Sequence, residues 1–192
     1  IIMNKRPHII IFNPDQWRSD VMGHLGNGAA VTPNLDRITQ TEAVSFRSAF
    51  CQNTVCTPSR CSFMSGWYPH VRGHRTMHNM MQPDEPVLLK TLKDAGYFVW
   101  WGGKNDLVPA ENGYEKYCDV KYKLPKSPRR ESNLHAHDVW RGTPDGDNYY
   151  SFYAGKLVKG EEEETYYDGD WGCVLGAIDM IRNAPTDQPL CI

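Results

Sequence analysis

Two rhythms of apolar and polar positions run along this chain. Residues 8–12, His-Ile-Ile-Ile-Phe, form a short β-branched run of the kind that reads as a central strand buried on both faces. Val44 to Cys51 reads as a second strand, with Val44, Phe46 and Ala49 facing inward. Tyr97-Phe-Val-Trp-Trp101 is a third, and Pro189-Leu-Cys-Ile192 opens a fourth. Between them the helical period takes over. Thr32-Pro33 starts a helix that runs to about Thr41, because threonine suits the cap and proline the first turn. Thr57-Pro58 starts another that runs to about Ser65. Leu88 to Ala95 is amphipathic and is closed by Gly96, a residue able to take the left-handed cap conformation. Asp168 to Asn183 is helical, with Val174, Ile178 and Ile181 on one side.

Strands alternating with helices predict an α/β fold with a mostly parallel central sheet built from 8–12, 44–50, 97–101 and 189–192. Residues 67–85 keep no period and hold His70, His74 and His78. From Asn105 to about Asn148 the pattern dissolves into Pro, Gly, Lys and Asp. That is too long for a plain connection, so 105–165 reads as a lid, an insertion or substrate-facing loops. Within it, 149–153 and 156–158 pattern as a small hairpin, and Glu161 to Glu164 as a solvated acidic turn. An apolar strand opening at the last residues predicts that residues 1–192 are the N-terminal part of a larger domain. The buried edge so exposed would favour self-association into a homo-oligomer.

Charge and cysteine usage narrow the function classes. The 192 residues carry 21 Lys and Arg against 23 Asp and Glu, a formal charge of -2 that gives no reason to expect a nucleic-acid or membrane-surface partner. No apolar run approaches the roughly 20 residues of a membrane span. The start leads into a strand without a signal-peptide pattern, so the expected location is cytoplasmic. Cys51, Cys56 and Cys61 are spaced C-x4-C-x4-C, unlike the paired spacing of zinc modules, and Cys118, Cys173 and Cys191 are scattered.

The chemistry concentrates in Cys51-Gln-Asn-Thr-Val-Cys56-Thr-Pro-Ser-Arg60-Cys-Ser-Phe-Met-Ser-Gly66. Cys56 falls at the start of a helix, where free backbone N–H groups and the positive end of the dipole favour an anion. Arg60, one turn on, adds a planar cationic fork suited to a tetrahedral oxyanion.

Cys56-Thr-Pro-Ser-Arg60 resembles the C-x-P-S-R signature of the type I sulfatases, in the alkaline-phosphatase-like superfamily. Four further segments resemble that family in the same order. They are Ile9 to Arg18 with its Asn13-Pro-Asp15-Gln16 loop, Thr32-Pro-Asn-Leu-Asp36-Arg37, Gly66-Trp-Tyr-Pro69-His70, and Leu92-Lys-Asp-Ala-Gly96-Tyr97 followed by Gly103-Lys104.

The resemblance implies a three-layer α/β/α sandwich, truncated here, and a sulfuric-ester hydrolase. Cys56 would be oxidised to formylglycine by a formylglycine-generating enzyme. As an aldehyde hydrate it would then attack sulfur. Arg60 would hold the hydrate oxygen and Lys104 a sulfate oxygen. Asp15, Gln16 and the residue-56 side chain would ligate Ca²⁺ or Mg²⁺, which prefer such hard oxygens. The substrate would be a small-molecule or carbohydrate sulfate ester. Two departures stand out: the family more often has Asp-Asp where this chain has Asp15-Gln16, and a histidine near the place of Asn105-Asp106. Asp106 and His74 are the candidates for the contact that histidine would make with substrate. The alternatives are a phosphonate monoester or phosphodiester hydrolase of the same superfamily, and a fragment without catalysis.

Overall fold

The computed structural model describes residues 6–123, 156–159, 164–167 and 169–192. The chain divides into two compact units, one of residues 1–9, 92–104 and 114–192, the other of residues 10–91 and 105–113.

The first unit carries the sheet. Its centre is β1 (Phe98–Trp101), which pairs in parallel on one side with β2 (Val120–Lys121) and on the other with β5 (Leu190–Cys191). Phe98 faces Leu190 and Trp100 faces Val120 in register. Ile9 extends the sheet beyond β5 through a parallel bridge to Cys191: its N–H donates to Leu190 O at 2.8 Å, and its carbonyl accepts from Ile192 at 2.9 Å. Val99, Trp100, Trp101, Leu190 and Cys191 are buried, as their continuous apolar runs require of parallel strands.

Residues 102–119 connect β1 to its parallel neighbour β2. Asp119 fastens the end of that connection to the sheet, with Oδ2 accepting from Val99 N at 2.8 Å and Oδ1 2.9 Å from Lys93 Nζ. The helix α3 (Leu88–Asp94) ends as its sequence predicts. Gly96 takes φ 84°, and Tyr97 N donates back to Leu92 O at 3.0 Å.

A longer helix, α4 (Gly169–Arg182), lies against the residues that follow β1 and β2, with Cys173 beside Gly102 and Tyr122 beside Gly176. Its buried face centres on Gly176, whose missing Cβ leaves room for the Tyr122 ring, and Tyr122 Oη donates to Gly172 O at 3.4 Å. Val174, Ile178 and Ile181 share one side of this helix as expected from their spacing; Val174 and Ile178 are half-buried and Ile181, near the helix end, is 47% exposed. β3 (Lys156–Lys159) and β4 (Glu164–Tyr167) form an antiparallel hairpin. Lys156 to Val158 therefore pair with 165–167, and Glu164, opposite Lys159, belongs to a strand. The expected partner 149–153, the remainder of the acidic turn and residues 124–148 lie outside the described residues. The described part of the 105–148 stretch is not plain loop, since it holds a 3-10 turn at Ala110–Asn112 and strand β2.

The second unit is built on two helices, α1 (Pro33–Thr41) and α2 (Cys56–Ser65), set among turns. Thr32 precedes α1, with Pro33 in the first turn. Its hydroxyl accepts from Gly23 N at 2.9 Å and donates to Asp36 at 3.0 Å, tying the 23–25 turn to the helix instead of capping a helical N–H. The core here is Thr57, Pro58, Cys61, Met81, Val87, Leu107 and Val108, all nearly or fully buried. Met81 N donates to Leu107 O at 2.8 Å, which joins segment 105–113 to the rest.

Two expected strands are corrected. Residues 10–12 and 44–51 form no strand; Ile10 is 63% exposed, Phe12 70%, Val44 and Phe46 77%, and Phe50 85%. A strand exists through its hydrogen-bonded neighbours, and among the described residues none pairs with either run. Large apolar side chains left open in this number favour association. The 192-residue chain is expected to sediment as an oligomer, and serine at Phe12, Phe46 and Phe50 together to shift it to monomer. Sedimentation velocity checks this, and a wild-type monomer would contradict it. Among the described residues no helix is long and apolar enough to cross a membrane.

Candidate active site

The second unit places Cys56 as the first residue of α2. Val55 is the residue before it, in extended conformation, and Asn53 Oδ1 accepts Val55 N at 2.8 Å to set the entry turn. Pro58 fits here because the N–H it lacks would have no partner inside the helix. The other end closes at Gly66, φ 76°, whose N–H returns to Ser62 O at 2.8 Å. Ser62 Oγ donates to Trp67 O at 2.5 Å, fixing the chain as it leaves the helix.

Asp15 comes to this helix start from a distant part of the sequence. Its Oδ1 lies 3.7 Å from Cys56 Sγ and 3.7 Å from Arg60 Nη2. Arg60's side chain is 15% exposed and Asp15's 46%. A carboxylate, a thiol and a guanidinium thus meet at one helix N-terminus. Gln16, next in the loop, has φ 51°, a left-handed conformation that costs a non-glycine residue energy and has to be held by its surroundings. A cavity of about 600 Å³ opens beside Arg60, lined by Asn13, Gln52, Phe63, Trp67 and Tyr68 among others.

Burial and the Glu85 carboxylate push the Cys61 thiol up to about 12, and burial pushes Cys118 up to about 11. Both are neutral thiols at pH 7 and poor nucleophiles. All six cysteines are free, and Cys56 is partly accessible.

Of the other candidates, Lys104 follows β1 in the sheet-bearing unit, after Gly102 and Gly103. Asp106 lies in the helix-bearing unit with φ 43°, beside Asn105, whose side chain bonds Val108 O at 2.6 Å. His74 is 3% exposed, its Nδ1 2.7 Å from Asn79 O and its Nε2 3.0 Å from Glu85 Oε2. Glu85 and Asp84 beside it gave no signal in the sequence, where residues 67–85 keep no period.

Asp15 and Gln16 match a hard cation in kind, offering carboxylate and amide oxygens. In number they fall short. Ca²⁺ takes about six to eight oxygens, and among the described residues no group of three or more His, Cys, Asp or Glu is placed to hold a metal.

The family model described as Sulfatase matches residues 7–171. The chain belongs to the sulfatase family. Among its sulfatase relatives, an ulvan-active sulfatase of Formosa agariphila is 34% identical over 98 residues, 50% of this chain and 19% of that protein. An N-acetylglucosamine-6-O-sulfatase of Bacteroides thetaiotaomicron is 29% identical over 188 residues, 98% of this chain and 30% of that protein. The chain thus spans less than a third of either relative. A solved protein in complex with its substrate D-glucosamine-2-N,6-O-disulfate shares the fold, with a TM-score of 0.68 at 23% identity over 97% of this chain and 33% of its own. Together with the parallel sheet and its helices, that likeness places this sulfatase chain in the α/β class.

Proposed function

We propose that the complete protein hydrolyses sulfate esters, with residue 56 as the nucleophile after oxidation of Cys56 to formylglycine. The observation that carries this reading is the meeting of Asp15, Cys56 and Arg60 at the first turn of α2, within the matched family region. A thiol is poorly suited to the task because its thiosulfate product has no easy exit. Formylglycine hydrate supplies one hydroxyl to attack sulfur and a second whose deprotonation releases sulfate.

The chain's own residues do the positioning. The α2 N-terminus and Arg60 hold anionic oxygen where charge develops. Asp15 Oδ1 faces the residue-56 side chain and accepts a hydrogen bond from it, while Arg60 balances the carboxylate. Lys104 is assigned to a sulfate oxygen and Asp106 to substrate contact. His74 is assigned an internal role, since its ring is sealed from solvent. Asp15 and Gln16 are assigned to part of a Ca²⁺ or Mg²⁺ shell. The names of the relatives favour a sulfated carbohydrate as substrate.

A second reading has a specific observation behind it. A multifunctional alkaline phosphatase superfamily protein of Trinickia caryophylli is 32% identical over 99 residues, 48% of this chain and 19% of that protein. Phosphonate or phosphodiester hydrolysis would use the same helix start. Comparing kcat/KM for an aryl sulfate and an aryl phosphonate, on the complete gene product co-expressed with a formylglycine-generating enzyme, separates the two. The sulfate is expected to be preferred by about 100-fold or more, roughly 2.7 kcal/mol of transition-state binding. Preference for the phosphonate would replace this proposal with the second reading.

A further inference from the structure

A buried charged cluster beside α2 takes no part in the chemistry above. Glu85 is 3% exposed. Its Oε1 accepts Arg72 Nε at 2.9 Å; its Oε2 accepts Gln82 N at 2.6 Å and lies 3.0 Å from His74 Nε2. Arg72 reaches on to Asp84 at 2.8 Å, and His74 Nδ1 sits 2.7 Å from the carbonyl of Asn79. A carboxylate is costly to bury unless it is paired and hydrogen-bonded. Here one carboxylate gathers contacts from 72, 74 and 82, and so closes a segment that has no helix or strand of its own.

That closed segment touches the nucleophile's helix at a particular place. Thr57, fully buried and next to Cys56 in the chain, donates its hydroxyl to Met77 O at 3.3 Å. One turn on, Cys61 is buried within reach of the Glu85 field and of the Met81 backbone. The first turn of α2 is also held by its own bond from Ser59 N to Val55 O at 3.0 Å. Met77 O is therefore an anchor for this first turn from outside the helix.

We propose that Glu85 is a positioning residue for residue 56: it locks segment 72–85, and the locked Met77 carbonyl fixes Thr57 and the first turn of α2. This rests on the reading of residue 56 as the nucleophile. The link is Glu85 to Arg72, His74 and Gln82, then the Met77 carbonyl, then the Thr57 hydroxyl. Misplacing a reacting group by an ångström costs about 100-fold in rate, so partial loosening of this turn is expected to cost about tenfold.

The test is a double-mutant cycle on the complete gene product, comparing Glu85→Gln, Thr57→Val and both together, with Thr57→Ser as the conservative rescue. Turnover is divided by the fraction of residue-56 aldehyde from peptide mass spectrometry. Each single variant is expected to lower kcat about tenfold at unchanged KM, and the double variant to fall no further, because both cut one link. Thr57→Ser is expected to stay within about twofold of wild type, since it keeps the hydroxyl. Effects that multiply, or kcat unchanged in Thr57→Val, would overturn the proposal. If Glu85→Gln does not fold, the contrast between Thr57→Val and Thr57→Ser decides alone. If the wild type hydrolyses no sulfate ester, the functional reading falls, and amide exchange at Ser59 and Arg60 decides the positioning. Exchange faster by about tenfold in each single variant and no faster in the double supports it, and unchanged exchange overturns it.

Discussion

Cys56→Ala is expected to lower sulfate-ester turnover of the complete protein by at least about 10⁴-fold, the scale on which loss of a covalent nucleophile acts. The helix itself should survive the change. Cys56 occupies its first position with partial exposure, while the buried contacts of α2 are made by Thr57, Pro58, Cys61 and Ser62. Melting temperature should therefore stay close to wild type, which separates lost chemistry from lost fold. Arg60→Ala should cost less, about 10²–10³-fold, as removal of one preorganised group that meets developing charge. Arg60→Lys should recover only part of this, because an ammonium keeps the charge but loses the planar fork. Turnover by Cys56→Ala near the wild-type rate would remove residue 56 from the mechanism.

The second large effect concerns metal. Calorimetric titration of Ca²⁺ into the 192-residue chain is expected to give a Kd weaker than about 1 mM, the weak end of known protein calcium sites. The reasoning is local. Asp15 is one carboxylate, and it already stands 3.7 Å from the Arg60 guanidinium, which offsets its charge. Gln16 adds a neutral amide oxygen from a strained backbone. One carboxylate and one amide leave most of the cation's shell to water. Aryl sulfate turnover by the same chain is expected to be undetectable beside that of the complete gene product. Micromolar binding by the 192 residues would show that they hold a full ligand set and would overturn this expectation.

How far the sequence revealed the molecule varies from element to element for physical reasons. Helix α2 was legible because its signals are local: Pro58 in the first turn, Gly66 past the last, and an N-terminus that a cysteine and an arginine one turn apart make chemically distinctive. The cap at Gly96 was legible for the same reason, since a left-handed residue after an amphipathic run needs no distant partner. The strands were legible only where a partner stands beside them. Phe98 to Trp101 found β2 and β5, and Ile9 found Cys191. Val44 to Phe50 has an equally good alternation, but pairing is a non-local property, and the run remains without a ladder among the described residues.

Within the candidate site, the approach of Asp15 to Cys56 and Arg60 was foreseen from a family resemblance, not from any spacing, because 41 residues separate Asp15 from Cys56. Glu85 was not foreseen at all. Two prolines and a neighbouring aspartate make it look like part of a solvated turn. Its burial depends on Arg72, His74 and Gln82 arriving from a segment with no period to read. The same holds for His74. Three histidines in an irregular stretch invite a functional role, and the tertiary contact with Glu85 makes this one an internal strut.

The central claim is that an aldehyde at residue 56 is the group that cleaves sulfate esters. Its most direct test is to prepare the complete protein with graded amounts of formylglycine-generating enzyme. For each preparation, the aldehyde fraction on the Cys56 peptide is measured by mass spectrometry alongside turnover of an aryl sulfate. Turnover rising in proportion to the aldehyde fraction, from zero in unmodified protein, is the predicted result. Turnover that persists without the aldehyde, or full conversion of Cys56 with no sulfate released, would contradict it.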